Sequence, residues 1–238
     1  MYGSYYGYGM GFFDPTMILL LIGTLLSLAA SSIVNSTFSN YSRVRSMSGM
    51  TGEEAARRLL NSQGIYDVAV RPVSGSLTDH YDPRTKTVNL SESVYRCASV
   101  ASLGVAAHEC GHAIQDDRSY APLRIRNGLV PVANIGTQAA WPIILVGLFL
   151  GSSSFLINLG ILLFSLGVLF QIVTLPVEFN ASGRALRILG DSGILYEEEV
   201  KQTRKVLSAA AMTYVAAAAA SILSLLRLLI LFGGRDRD

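Results

Sequence analysis

The chain is poor in the residues that bridge, bind metals or titrate near neutrality. It has two cysteines and three histidines in 238 residues, and only 15% of its residues are charged. Cys97 and Cys110 are too few for a disulfide framework, and Cys110 sits within a helical stretch, so no bridge between them is expected. A net charge of +2, with acids and bases interspersed, leaves no electrostatic footprint for nucleic acid. No Lys or Arg occurs in "MYGSYYGYGMGFFD", so the apolar run that follows lacks the positive flank of a cleavable signal and reads as an uncleaved anchor. The Tyr and Phe rings of that opening suit a flexible tail at the headgroup level.

What the chain has in abundance is apolar sequence, half of all residues. Four runs approach the roughly 20 residues needed to cross a hydrocarbon core: 15–34, 129–150, 155–175 and 206–232. They separate an N-terminal Tyr/Gly-rich tail (1–14), two polar segments (35–128 and 176–205) and a short C-terminal tail (233–238). Two crossings lie between the polar segments, which therefore face the same compartment. They hold sixteen of the nineteen basic residues, and the positive-inside rule places them in the cytoplasm with both termini outside. The expected fold is an integral membrane, mainly α protein with four transmembrane helices and a small α/β cytoplasmic subdomain. Apart from Arg227, which can snorkel from the distal end of its span, the spans carry no charged residue, and this argues against a channel or transporter.

The longer polar segment opens with a capping box, Thr51 with Glu54, on a helix that stops at Gly64. "YDVAVRPV" and "SLTDHYDPRTKTVNLS" alternate apolar with polar and predict two or three short strands, the one with Val88 and Leu90 forming an edge that could receive an extended peptide. Ser91 caps a helical stretch running to Gln115, with a break expected near Gly104.

That stretch contains "VAAHECGHAIQDD". Residues four apart on a helix project about 40° from each other, so His108 and His112 can aim their imidazoles at one point, where zinc accepts two nitrogens. Glu109 then stands beside the metal's open position as a base for bound water. No histidine follows His112, which excludes the extended three-histidine pattern. Of the remaining candidates for a third ligand, His80 lies upstream on an expected strand. Glu178 fits better: it follows the third span, on the same side as the histidines, in "LPVEFNASGRAL", with Pro176 read as the start of its helix.

An HExxH helix, two spans and a Glu-x-x-Ala helix on return resemble the HtpX and CAAX-protease type of gluzincin. More closely, "LTDHYDPRTKTVNLS", "AAHECGHAIQ" and "EFNASGRAL" look like the YugP-type membrane zinc metallopeptidases, a similarity covering Asn40 to about Ala217. The resemblance implies a zincin-like subdomain in a bacterial cytoplasmic membrane protein. It also implies Zn2+ on His108, His112 and Glu178, Glu109 as catalytic base, and hydrolysis of peptide bonds. Ser182 stands where HtpX-type proteases carry an Asp that supports a zinc-bound His, so support must come from Ser182, Asn180 or elsewhere.

Three further residues are weighed. His80 could bind substrate or stabilise an oxyanion. Tyr214, about two turns into the fourth span, could donate to a tetrahedral intermediate or anchor at the interface. Arg184 is expected to point away from the ligands and pair with an acid or a phospholipid. Cys110 is read as packing, Glu197 to Glu199 as a solvated helix start, and Gly147 to Gly151 as small-residue helix packing. Expected partners are a protein or peptide substrate and the bilayer, with a second copy or a membrane-protein adaptor as further candidates. The alternative reading is a membrane zinc-binding scaffold or adaptor without catalysis, whose metal would be closed off by a fourth protein ligand.

Overall fold

The computed structural model describes residues 14–233; the flexible aromatic tail expected over 1–14 and the C-terminal tail expected over 233–238 lie largely outside them. In chain order the elements are α1 (Met17–Ser42), α2 (Gly52–Ser62), β1 (Ala69–Val73), β2 (His80–Asp82) and β3 (Thr87–Ser91). They continue with α3 (Glu92–Tyr95), α4 (Val100–Asp117), α5 (Ala121–Phe149), α6 (Ser154–Asp191) and α7 (Glu197–Phe232).

The four long helices α1, α5, α6 and α7 are long and apolar enough to cross a membrane. All four run beyond the expected spans. At 38 residues α6 is about 57 Å long, against a hydrocarbon core of roughly 30 Å, so it emerges and continues as the helix that carries Glu178. Pro176 therefore lies inside a helix and starts none. It removes one backbone hydrogen bond, but Val177, Ala181, Ala185 and Leu189 on the following turns are fully buried, and their packing keeps the helix continuous. α5 and α7 each pack along α6, and α1 packs along the outer flank of α7. Arg227 does not simply snorkel: its Nη2 lies 3.2 Å from Asp14 Oδ2, which ties the distal ends of α1 and α7 together.

The α/β part is built around α4. The sheet order is β1-β3-β2, with β1 parallel and β2 antiparallel to β3. The strand of Val88 and Leu90 is thus central, and both side chains are fully buried; the edge beside α4 is β2. Thr51 and Glu54 form the expected reciprocal cap on α2, and Gly64 follows with φ +77°. The helical stretch after Ser91 breaks at Arg96 to Ser99, upstream of Gly104. Ser91 precedes α3 without a side-chain cap, whereas Ser99 Oγ caps α4 by accepting from Ser102 N–H.

Glycines set how close α4 comes to its neighbours. A Cβ on Gly104 would lie 2.7 Å from Thr203 Cγ2 on α7, so this glycine is a contact within an unbroken helix. A Cβ on Gly111, between the two histidines, would lie 2.6 Å from the Ala181 carbonyl oxygen on α6. That approach determines how near the histidine helix stands to Glu178. One core then joins Leu59, Leu60, Val88, Leu90, Leu103 and Leu189, with Cys110 packed among them as expected and Cys97 exposed. Of the three acids that open α7, Glu199 is not solvated: it is buried and accepts from the backbone N–H groups of Met47 and Tyr196.

Candidate metal centre

α4 and α6 bring His108, His112 and Glu178 to one point. His108 Nε2 lies 3.2 Å and His112 Nε2 3.5 Å from Glu178 Oε2, and the ligating atoms of the three all fall within 4.8 Å of one another. Zinc bonds of about 2.0–2.2 Å in a tetrahedral shell separate neighbouring ligand atoms by about 3.3 Å. Both of these separations agree with that shell.

The surrounding hydrogen bonds decide what the imidazoles present. Arg184 Nε donates to Asn180 Oδ1 at 2.7 Å, which fixes that atom as an oxygen. Gln115 Nε2 donates to the same oxygen at 3.0 Å and to the Val177 carbonyl at 2.8 Å. Gln115 Oε1 is therefore the atom 3.0 Å from His112 Nδ1, and as a carbonyl it can only accept. His112 then carries its proton on Nδ1 and turns a lone pair on Nε2 towards a carboxylate oxygen. As a neutral imidazole it sets two electron-rich atoms face to face, an arrangement that a metal cation between them satisfies. His108 Nδ1 lies 3.1 Å from Ser182 Oγ, and when that hydroxyl accepts from it, Nε2 is free for a metal. Two neutral imidazoles and one carboxylate suit zinc.

Glu109 is buried beside this group, with the Tyr81 backbone N–H directed at its carboxylate. Burial pushes its carboxyl up to about 7; the neighbouring His108 pulls it down, while Glu178 and Asp79 push it further up. β2 and the residue before it are tied to neighbouring elements at two places. Tyr81 Oη donates to Asp116 at the end of α4 at 2.9 Å, and Asp79 accepts from the backbone N–H and hydroxyl of Ser91 at 2.7 and 3.0 Å. Burial raises the Asp79 carboxyl above its ordinary range.

A cavity of about 120 Å³ opens over the ligands and is bordered by His80, Tyr81, Glu109, Arg126, Asn127 and Tyr214. Tyr214 thus faces the site, with its hydroxyl directed at Glu178. His80 borders the cavity but is exposed, its ring nitrogens occupied by the Thr78 carbonyl and Asn89. Asn180 touches neither histidine; it acts on Gln115. Arg184, expected to meet an acid or a phospholipid, instead bonds Asn180 and lies over the Tyr120 ring at 5.8 Å.

Two residues escaped the sequence reading of the site. Gln115 follows His112 by three residues on the same helical face, a spacing that could have singled it out. Arg126 counted only among the sixteen basic residues of the two polar segments. Its Nη1 lies 3.6 Å from Glu178 Oε1, the oxygen turned away from the histidines, and nothing in the sequence signals that contact.

A membrane helix bundle that converges two histidines of one helix and a glutamate of another on a single point defines a membrane protein with a gluzincin-like metal centre. The chain belongs to the family described as "Putative neutral zinc metallopeptidase", which it matches over residues 16–233. It is 50% identical over 223 residues to "Putative membrane protease YugP" of Bacillus subtilis (strain 168), covering 93% of this chain and 99% of that protein. No solved structure matches the chain.

Proposed function

We propose that the chain is a zinc-dependent endopeptidase that hydrolyses peptide bonds of protein substrates at the cytoplasmic surface of a bacterial membrane. The observation that carries this reading is a buried glutamate, Glu109, beside three convergent ligands, one of them an imidazole whose Nδ1 proton is held by Gln115. His108, His112 and Glu178 hold the zinc, with Ser182 and Gln115 fixing the two rings. Bound there, zinc supplies Lewis acidity, lowering the pKa of water and polarising the scissile carbonyl. Glu109 takes the proton from the attacking water and passes it to the leaving amine. Arg126 and Tyr214 border the same cavity and meet the negative charge that develops on the carbonyl oxygen. An extended substrate segment pairs with the free edge of β2, which presents the peptide alongside Glu109. The sixteen basic residues of the two polar segments support the cytoplasmic orientation.

A purely structural zinc would be closed by a fourth protein ligand, and the cluster among the described residues contains three. The test is incubation of the detergent-purified protein with an unfolded soluble protein and mass spectrometry of the products. Internal cleavage that a chelator abolishes and zinc restores is expected. Products trimmed only from one terminus would overturn the endopeptidase assignment, and no cleavage with zinc bound would overturn the enzyme.

A further inference from the structure

Three helices supply the cavity's membrane-facing wall: α5 through Asn127, α6 through Glu178 and α7 through Tyr214. Each carries a second polar side chain seven residues deeper into its apolar stretch. On α5 it is Asn134, on α6, which runs towards the site, Gln171, and on α7 Ser221. Seven residues are nearly two full turns, so each lies on the same face as its cavity residue and about 10 Å further from the site. Asn134 is exposed, Gln171 and Ser221 are half-buried, and none has a side-chain hydrogen-bond partner among the described residues. A helix turns polar groups outward at membrane depth only where something satisfies them.

α5 and α7 both pack on α6 and not extensively on each other. At the distal end an apolar cluster of Ile144, Ile157, Ile161 and Leu228, with Leu148 and Leu225 against it, closes the three helices together. Between that cluster and the metal centre, the α5 face bearing Asn127 and Asn134 continues to Trp141, also exposed. Pro131 and Pro142 interrupt α5, and each frees the carbonyl four residues earlier, on Asn127 and Gln138.

We infer that the wedge between α5 and α7 is the lateral entrance of the site, and that its occupant is a membrane-inserted segment of the substrate, unwound near its end. About three residues of extended chain span the 10 Å between the polar layer and the metal centre. Unwound backbone at that depth needs hydrogen-bond partners that lipid cannot give, and Asn134, Gln171 and Ser221 supply donors and acceptors for it. The apolar walls beyond them accept its side chains. This rests on the protease reading and names the substrate class: membrane proteins cut at the boundary of a membrane-inserted segment.

The test uses the full chain with Glu109→Gln, so that binding is read without turnover. A photo-crosslinking amino acid is placed in turn at Asn134, at Ser221 and, as a control, at Ile135, which is 70% exposed on a different face of α5. Each protein is reconstituted in phosphatidylethanolamine and phosphatidylglycerol vesicles with a single-span model protein bearing a Gly-rich membrane boundary. Crosslinks from positions 134 and 221 into the boundary of that span, at least fivefold over position 135, are expected. Equal yields from all three positions, or crosslinks from 134 and 221 to a second copy of the chain, would overturn the entrance. The two readings fail separately. Cleavage of the model protein by wild type without selective crosslinks refutes the entrance alone, while selective crosslinks without any wild-type cleavage refute the protease.

Discussion

Gln115 accepts a hydrogen bond from His112 Nδ1 at 3.0 Å, and it can do nothing else, because its amide nitrogen is committed to Val177 and Asn180. The chain of bonds from Arg184 through Asn180 and Gln115 thus holds a proton on Nδ1 of one imidazole of the candidate metal centre, from a guanidinium outside the ligand set. Gln115→Leu removes the acceptor while keeping the side-chain volume close. Zinc affinity is expected to fall about 10- to 100-fold, the usual effect of losing such a supporting group. Competition against a fluorescent zinc chelator measures it, and an unchanged affinity would refute the role of Gln115.

Gly111 allows α4 and α6 to approach closely enough for the three ligands to meet. Gly111→Ala places a methyl 2.6 Å from the Ala181 carbonyl, a backbone atom that cannot turn aside. Overpacking of this kind costs about 1–3 kcal/mol, and it falls on the spacing of the metal centre. The thermal midpoint and the zinc content should both drop. Gly183→Ala is the contrast: its added methyl meets nothing within 4 Å, so the midpoint should stay or rise slightly.

Tyr214 and Arg126 should separate binding from rate. If they face the oxyanion, Tyr214→Phe and Arg126→Met lower kcat by about 10- to 1000-fold with little change in KM and with zinc retained. Steady-state kinetics on a soluble peptide, together with metal analysis, check this. A rise in KM at constant kcat would assign the two residues to ground-state substrate binding instead.

The pH profile follows from Glu109. A general base works only when deprotonated, so activity falls as pH drops through its pKa. Burial lifts that carboxyl to about 7, and a nearby dication favours the carboxylate and draws it back towards its ordinary value of 4.5. The acidic limb of kcat/KM is therefore expected between those two values. Chelator-sensitive activity that stays flat from pH 8 to pH 4 would contradict it.

Much of this arrangement was legible in the sequence. Four apolar runs and a capping box at Thr51 declare their helices by length and local chemistry. The convergence of His108, His112 and Glu178 follows from a four-residue spacing and from two crossings that return the chain to its starting side. What was not legible depends on tertiary contact. Pro176 resembles a helix start until the burial of Val177 and Ala181 against α4 overrides it. β3 alternates like an edge strand, yet it pairs on both sides, and pairing partners are not written into a strand's own pattern. Arg126 is one basic residue among several at a membrane boundary, and only the packing of α5 on α6 shows that it reaches Glu178.

We propose that a metal held by His108, His112 and Glu178 works with Glu109 as the proton carrier. The most direct measurement compares wild type with Glu109→Gln, determining zinc per chain and cleavage of an unfolded soluble substrate in the same preparations. About one zinc per chain in both proteins, with cleavage reduced at least about 100-fold in the variant, is the predicted result. Equal cleavage by the two proteins, with zinc bound in both, would contradict it.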